Sequence, residues 1–232
     1  MRVAVLLLPL GALFARLHGG DPLATTPSDA DQTPAVRYAE MDRAACEAEL
    51  GRRGVAFTSV STTDARGVLA PVRLAGTLHG VVFHSPVPER QRARSPLEIM
   101  DCRLALALDD LAATLERHDI VEVVHFSAYR PAPARRVSPG ALGRRHEGGL
   151  ALDAAKFVKK DGTVLDVQKD FHGRIGARTC PAPGSTTELH ALACEIADQH
   201  LFNVELTPDF NWRHRNHFHL EVTPRVKWFL VH

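Results

Sequence analysis

Leu150-Ala151-Leu152-Asp153-Ala154-Ala155-Lys156-Phe157-Val158, then Lys159-Lys160-Asp161-Gly162, then Thr163-Val164-Leu165-Asp166-Val167, is the outline of a β-hairpin. The first run is apolar and short enough for a strand over 150–158, and Asp161-Gly162 is a dipeptide that accepts the positive φ of a tight hairpin turn. Thr163 to Val167 is then its returning partner. Upstream, Ile120 to Ser127 is β-branched and predicts a central strand, while the Pro-, Arg- and Gly-rich stretch 131–145 predicts a mobile loop that delivers His146. Downstream, Glu188 to Leu201 predicts a helix and His217 to Val222 a final strand.

Nearer the amino end, short β-rich runs at 55–60, 68–74 and 78–83 predict strands, and Tyr38 to Leu50 has an amphipathic helical pattern stopped by Gly51 and Gly54. Ser95-Pro96-Leu97-Glu98 combines a Ser cap, Pro at the first helical position and Glu at the third, so a leucine-rich helix is expected from there to about Arg117. Helices stand beside hairpin-linked strands without regular βα alternation. That predicts an α+β fold with a mainly antiparallel sheet and flanking helices. No internal repeat is visible.

The chain has 232 residues, 45% of them hydrophobic, which is ordinary for one globular domain, and a formal charge of +1. Its charges are evenly scattered, so nucleic acid is not an expected partner. Residues 1–20 place a charged tip before an apolar run that is too short to span a bilayer, which predicts a signal peptide; Pro9 and Gly11 disfavour a buried helix there. No stable membrane insertion is expected once that segment is removed. Residues 21–35 are rich in Asp, Pro, Thr and Ser and predict a flexible linker, leaving 36–232 as a single domain. Four cysteines suit an oxidising compartment. Among the three pairings open to them, Cys180 with Cys194 is favoured because the two bracket a Pro/Gly/Ser/Thr loop, which leaves Cys46 with Cys102.

The chemistry concentrates in His146, Asp153 and the run His214-Arg215-Asn216-His217-Phe218-His219. Alternate residues of a strand share a face, so His217 and His219 project together while Phe218 and Leu220 enter the core. Asp153 lies among Ala151, Leu152, Ala154 and Ala155, where a lone carboxylate is costly without a charged partner. Neutral imidazoles and a carboxylate are zinc ligands, and a catalytic zinc takes about three of them with one position open for water. His146, Asp153 and one of the late histidines supply such a set.

His146 to Asp153 has the form H-x-x-G-x-A-x-D, Ser127 to Arg130 the form S-x-Y-R, and His217 to His219 the form H-x-H. In that order they resemble the LAS metallopeptidases, a group that includes zinc D-alanyl-D-alanine carboxypeptidases, murein endopeptidases and the hedgehog signalling domain. The chain is also similar to the bacterial extensin-like C-terminal family across roughly residues 40–222. The resemblance implies a hedgehog/D-Ala-D-Ala-peptidase-like zinc domain in which His146, Asp153 and His219 hold Zn2+, His217 is the active-site histidine, and Arg130 lies near the scissile carbonyl. It departs from the carboxypeptidases in lacking their E-x-x-H glutamate, since the nearest upstream acids are Asp209 and Glu205. His214, three residues before His217, instead resembles the H-x-x-H-x-H of the endopeptidases, which makes His217 assisted by His214 the expected general base. Glu221 shares the face of His219 and is expected to accept a hydrogen bond from a ligand histidine. Glu147 is expected to orient a neighbour, and Trp212 and Tyr129 are candidates for lining a substrate groove. The function so implied is a secreted or periplasmic zinc peptidase acting on a peptidoglycan stem or crosslink peptide. A non-catalytic zinc-containing cell-wall-binding module is the alternative, and the sequence leaves the oligomeric state open.

Overall fold

The computed structural model describes residues 24–133, 141–180 and 187–232. Its elements in chain order are α1 (Pro34–Ala39), α2 (Arg43–Arg52), β1 (Phe57–Ser59), β2 (Pro71–Leu74), β3 (Val82–His84), α3 (Glu89–Arg92), β4 (Met100–Asp101), α4 (Cys102–Arg117) and β5 (Ile120–His125). They continue with β6 (Ala151–Lys159), β7 (Val164–Asp166), α5 (Val167–Asp170), α6 (Glu188–Asp198), β8 (Val204–Leu206), β9 (Phe218–Glu221) and β10 (Leu230–Val231). The expected signal peptide, the heart of the predicted loop at 134–140 and the tip of the disulfide loop at 181–186 lie outside the described residues.

The predicted hairpin forms, with β6 and β7 antiparallel across the turn at Gly162. β6 is the centre of the larger sheet, whose order is β10-β8-β9-β6-β5-β3 with β7 also paired to β6. The four pairings around β6 and β9 are antiparallel, and parallel pairing is confined to β3 on β5 and β10 on β8. The α+β, mainly antiparallel architecture therefore holds. A small second sheet, β1-β2-β4, leads into α4.

One face of the large sheet is covered by α4 and α6. Leu104, Leu106, Leu108, Leu111 and Leu115 of α4 and Leu189, Leu192 and Ile196 of α6 join Phe157, Phe218 and Leu220 in one core cluster. At about 2 kcal/mol per buried side chain, the five leucines of α4 contribute on the order of 10 kcal/mol. A helix cap is worth about 1 kcal/mol, so packing sets where α4 lies. Leu108→Ala would remove buried volume at its centre and cost about 2–5 kcal/mol.

Several local expectations are corrected by contacts distant in sequence. The helix expected from Ser95 starts instead at Cys102. Ser95 does cap a short 3₁₀ turn, accepting a hydrogen bond from the Leu97 N–H, but Asp101 caps the long helix through the Arg103 N–H. The chain between is held extended because Asp101 N–H donates to Gly149 O and Cys102 N–H to Ala70 O. The Tyr38–Leu50 helix is two helices, with Asp42 capping the second. The linker expected at 21–35 gives way from Thr25 onward. Thr25 exchanges two backbone hydrogen bonds with Phe229, and Ala30, Ala35, Val36 and Phe229 pack together. Both favoured disulfides are present, Cys46–Cys102 tying α2 to α4 and Cys180–Cys194 anchoring the chain before α6.

Candidate metal centre

The face of the large sheet away from α4 carries the polar residues. Asp153 on β6 stands directly opposite His219 on β9, and cross-strand partners share a face, so the carboxylate and imidazole must meet. Phe218 and Leu220 enter the core as expected, whereas His217 lies one residue before the strand begins. His146 arrives from the short 3₁₀ turn Arg145–Gly148, which Gly149 ends at φ +64°. A Cβ at Gly149 would come within 2.8 Å of the Asp101 amide nitrogen, so only glycine lets this turn press so close to the start of α4.

His146 Nε2, Asp153 Oδ1 and His219 Nδ1 form a small triangle with sides of 3.0, 3.1 and 3.3 Å. All three residues are buried. Four donors placed tetrahedrally at about 2.0–2.1 Å from one ion stand about 3.3 Å apart. The triangle is thus one face of such a tetrahedron to within a few tenths of an ångström, and a His₂Asp set is chemically suited to zinc.

The far side of each imidazole is fixed. His146 Nδ1–H donates to Ala128 O at 3.3 Å, and His219 Nε2–H to Glu221 Oε2 at 3.1 Å. His214 and His217 each turn Nδ1 toward an asparagine oxygen, Asn211 and Asn216, at 2.9 Å. With Nδ1 committed as donor, His214 and His217 keep Nε2 as an acceptor, whereas His146 Nε2 and His219 Nδ1 face the Asp153 carboxylate and would each release a proton to hold a metal there. Asn211 and Asn216 were not singled out from the sequence, although both sit within three residues of the histidine they orient.

His217 Nε2 is 3.4 Å from Asp153 Oδ1, beside the triangle, and the His214 ring lies 5.2 Å from that of His217. Burial lowers both histidines to about 4, so both rings are neutral at physiological pH. Arg130 Nη2 donates to Asp153 Oδ2 at 3.1 Å while its side chain remains 56% exposed. Burial alone would raise the Asp153 carboxyl, yet hydrogen bonds from His146 and His219 hold it well below the usual carboxylate range. Burial opposes protonation of His219, but its hydrogen bonds with Asp153 and Glu221 raise it nonetheless.

Glu221 is fully engaged, accepting also from Thr223 Oγ1 at 2.8 Å and pairing with Arg145 Nε at 3.3 Å. The remaining expectations divide. Trp212 is 68% exposed on the turn that carries His214, stacked by the Arg215 guanidinium 4.6 Å from its ring centre. Tyr129 is not a groove residue: it is buried and its hydroxyl donates to Arg66 O. Glu147 is exposed, and it is its backbone carbonyl that packs, against Gly67 and Gly143. Phe126 went unnoticed in the sequence; it is 40% exposed and meets the His217 ring edge-on at 5.7 Å.

No curated protein and no solved structure matches the chain. A family model described as Extensin-like protein C-terminus matches residues 44–231, a span that contains every residue of the centre described above. The chain therefore belongs to the Extensin-like protein C-terminus family.

Proposed function

We propose that this chain is a secreted, zinc-dependent peptidase that acts on peptidoglycan peptides, of D,D-carboxypeptidase or endopeptidase type. The observation that carries the reading is the buried triangle of His146, Asp153 and His219, with each imidazole oriented from behind by an oxygen acceptor. The order of motifs along the chain, which resembles the LAS metallopeptidases, points to peptide hydrolysis as the chemistry. An apolar leader and two disulfides support export.

Bound at the triangle, zinc would bring its water to a pKa near 7 and polarise the scissile carbonyl. His217, neutral and with Nε2 directed at the cleft, takes the proton as general base, and His214 beside it supports that proton in the same sense. Arg130 retains exposed N–H groups with which to stabilise the developing oxyanion. Asp153 fixes Arg130 in place through Oδ2 while presenting Oδ1 to the triangle.

A second reading is favoured by one observation: both carboxylates of the centre, Asp153 and Glu221, are committed to neighbours, which leaves neither of them free to act as base. In that reading the domain binds cell-wall peptides and the metal stabilises it without turnover. Purified protein incubated with peptidoglycan sacculi separates the two. Released peptides or D-Ala, abolished in His217→Ala, are expected; sacculus binding without soluble products would establish the binding module instead.

A further inference from the structure

Between the β1–β2 edge and the chain leading to β4 lies a cleft of about 580 Å³ that no part of the proposed peptidase chemistry uses. One wall is the edge strand β1 and the loop after it, including Thr58, Ser59, Ser61 and Asp64; Arg73 of β2 and Arg94 contribute the cations. Arg73 stands opposite Thr58 in the β1–β2 register, which puts the two side chains on one face.

Arg73 is held in an unusual way. Its Nη1 donates to the backbone oxygens of Ser95, at 2.6 Å, and Arg92, at 3.4 Å, and it forms no ion pair among the described residues. Burial pushes its guanidinium below the ordinary arginine range, with the Glu98 charge opposing the shift. A half-buried guanidinium pinned along one edge keeps its other N–H groups available for a planar oxyanion. Arg94 adds a second, exposed cation and Asp64 a single exposed carboxylate, so the cleft keeps a positive excess that makes a carboxylate the primary contact. Asp64 in turn offers a partner for an amine.

We propose that this cleft binds a short peptide through its free carboxylate, with Arg73 as the principal anchor, Arg94 as a second cation, and Asp64 taking the peptide's ammonium group.

The two walls also reach the residues that hold His146. On one side, Gly143 N–H donates to Gly67 O, and a Cβ at Gly67, whose φ is +90°, would come within 2.9 Å of Glu147 O. The same loop accepts the Tyr129 hydroxyl at Arg66 O. On the other side, Ala128 N–H donates to Leu97 O, and Ala128 O is the acceptor that orients His146. The cleft is therefore a second peptide subsite mechanically joined to the turn that carries a candidate ligand.

Amide chemical shifts of the full chain, titrated with the dipeptide Ala-Ala and with its N-acetylated, C-amidated form, test the assignment. The zwitterionic dipeptide should shift the amides of Thr58, Ser59 and Ser61, and the blocked form should not. Arg73→Gln should lower the affinity at least tenfold, and Arg94→Gln, whose exposed side chain holds no backbone oxygen among the described residues, should lower it about threefold with the fold intact. His219→Ala should leave this binding in place, so a failure of the metal reading does not sink the cleft. Equal binding of the blocked dipeptide, or of inorganic phosphate, would overturn the proposal, as would shifts confined to residues 214–219.

Discussion

Asp153 and Glu205 are both buried carboxylates on neighbouring parts of one sheet, and their surroundings are opposite. Asp153 faces the polar side, where His146, His219 and Arg130 all contact it, and it is held well below the usual range. Glu205 pairs across strands with Leu220 and so faces the side covered by helices. Its Oε1 has no hydrogen-bond partner among the described residues, and burial together with the charge of Asp198 pushes its carboxyl well above the usual range. Equal burial thus favours ionisation of one group and protonation of the other. What differs is the partners, and the convergence of cationic and imidazole groups on Asp153 is what marks the front of the sheet as a site.

The largest test of that contrast is Asp153→Asn. It removes the charge on which two imidazoles and a guanidinium converge, and the expected result is loss of stoichiometric zinc, checked by metal analysis of the purified protein. Next in size is His217→Ala, which should leave zinc bound while peptide release from sacculi falls by about 10²–10⁴-fold, the usual worth of general acid–base catalysis. Because the proton acceptor must be neutral, the same activity should decline as pH falls toward about 4 in the wild type. Glu221→Gln keeps the shape behind His219 but weakens the acceptor at its Nε2. Zinc affinity, read by competition with a chelator, should drop about 10–100-fold.

The smallest effect lies on the other face. A carboxyl whose folded pKa is raised costs stability above its unfolded pKa, and the cost grows with pH until the folded pKa is passed. Glu205→Gln should therefore raise the melting temperature at neutral and alkaline pH, with the gain shrinking toward pH 4. A destabilised variant at pH 8 would show that Glu205 is ionised and partnered, erasing the contrast with Asp153.

Much of the front face was legible in the sequence because its signals are local. The Asp161-Gly162 turn set the β6–β7 hairpin, and period-two alternation placed His219 outward between Phe218 and Leu220. What escaped depends on residues far apart in the chain. β8 and β10 are three and two residues long and pair in parallel only because the carboxyl end returns to Asn203, whose backbone oxygen accepts from Leu230. Ser95-Pro96 is a sound helix start by local rules, yet Gly149 and Ala70 claim the backbone N–H groups at Asp101 and Cys102 and delay α4. Thr25 is ordered by Phe229, some two hundred residues away. In the centre itself, the three motifs named the histidines, but the asparagine oxygens behind His214 and His217 depend on turn geometry that spacing does not encode.

The central claim is that His146, Asp153 and His219 form a metal site with an open position beside His217. X-ray absorption of the zinc-loaded chain tests it most directly. The account predicts about one zinc per chain with two imidazole nitrogens and two oxygens in the first shell, near 2.0–2.1 Å. A shell with three imidazoles would mean that His217 closes the site, and a chain that takes up no zinc would contradict the account outright.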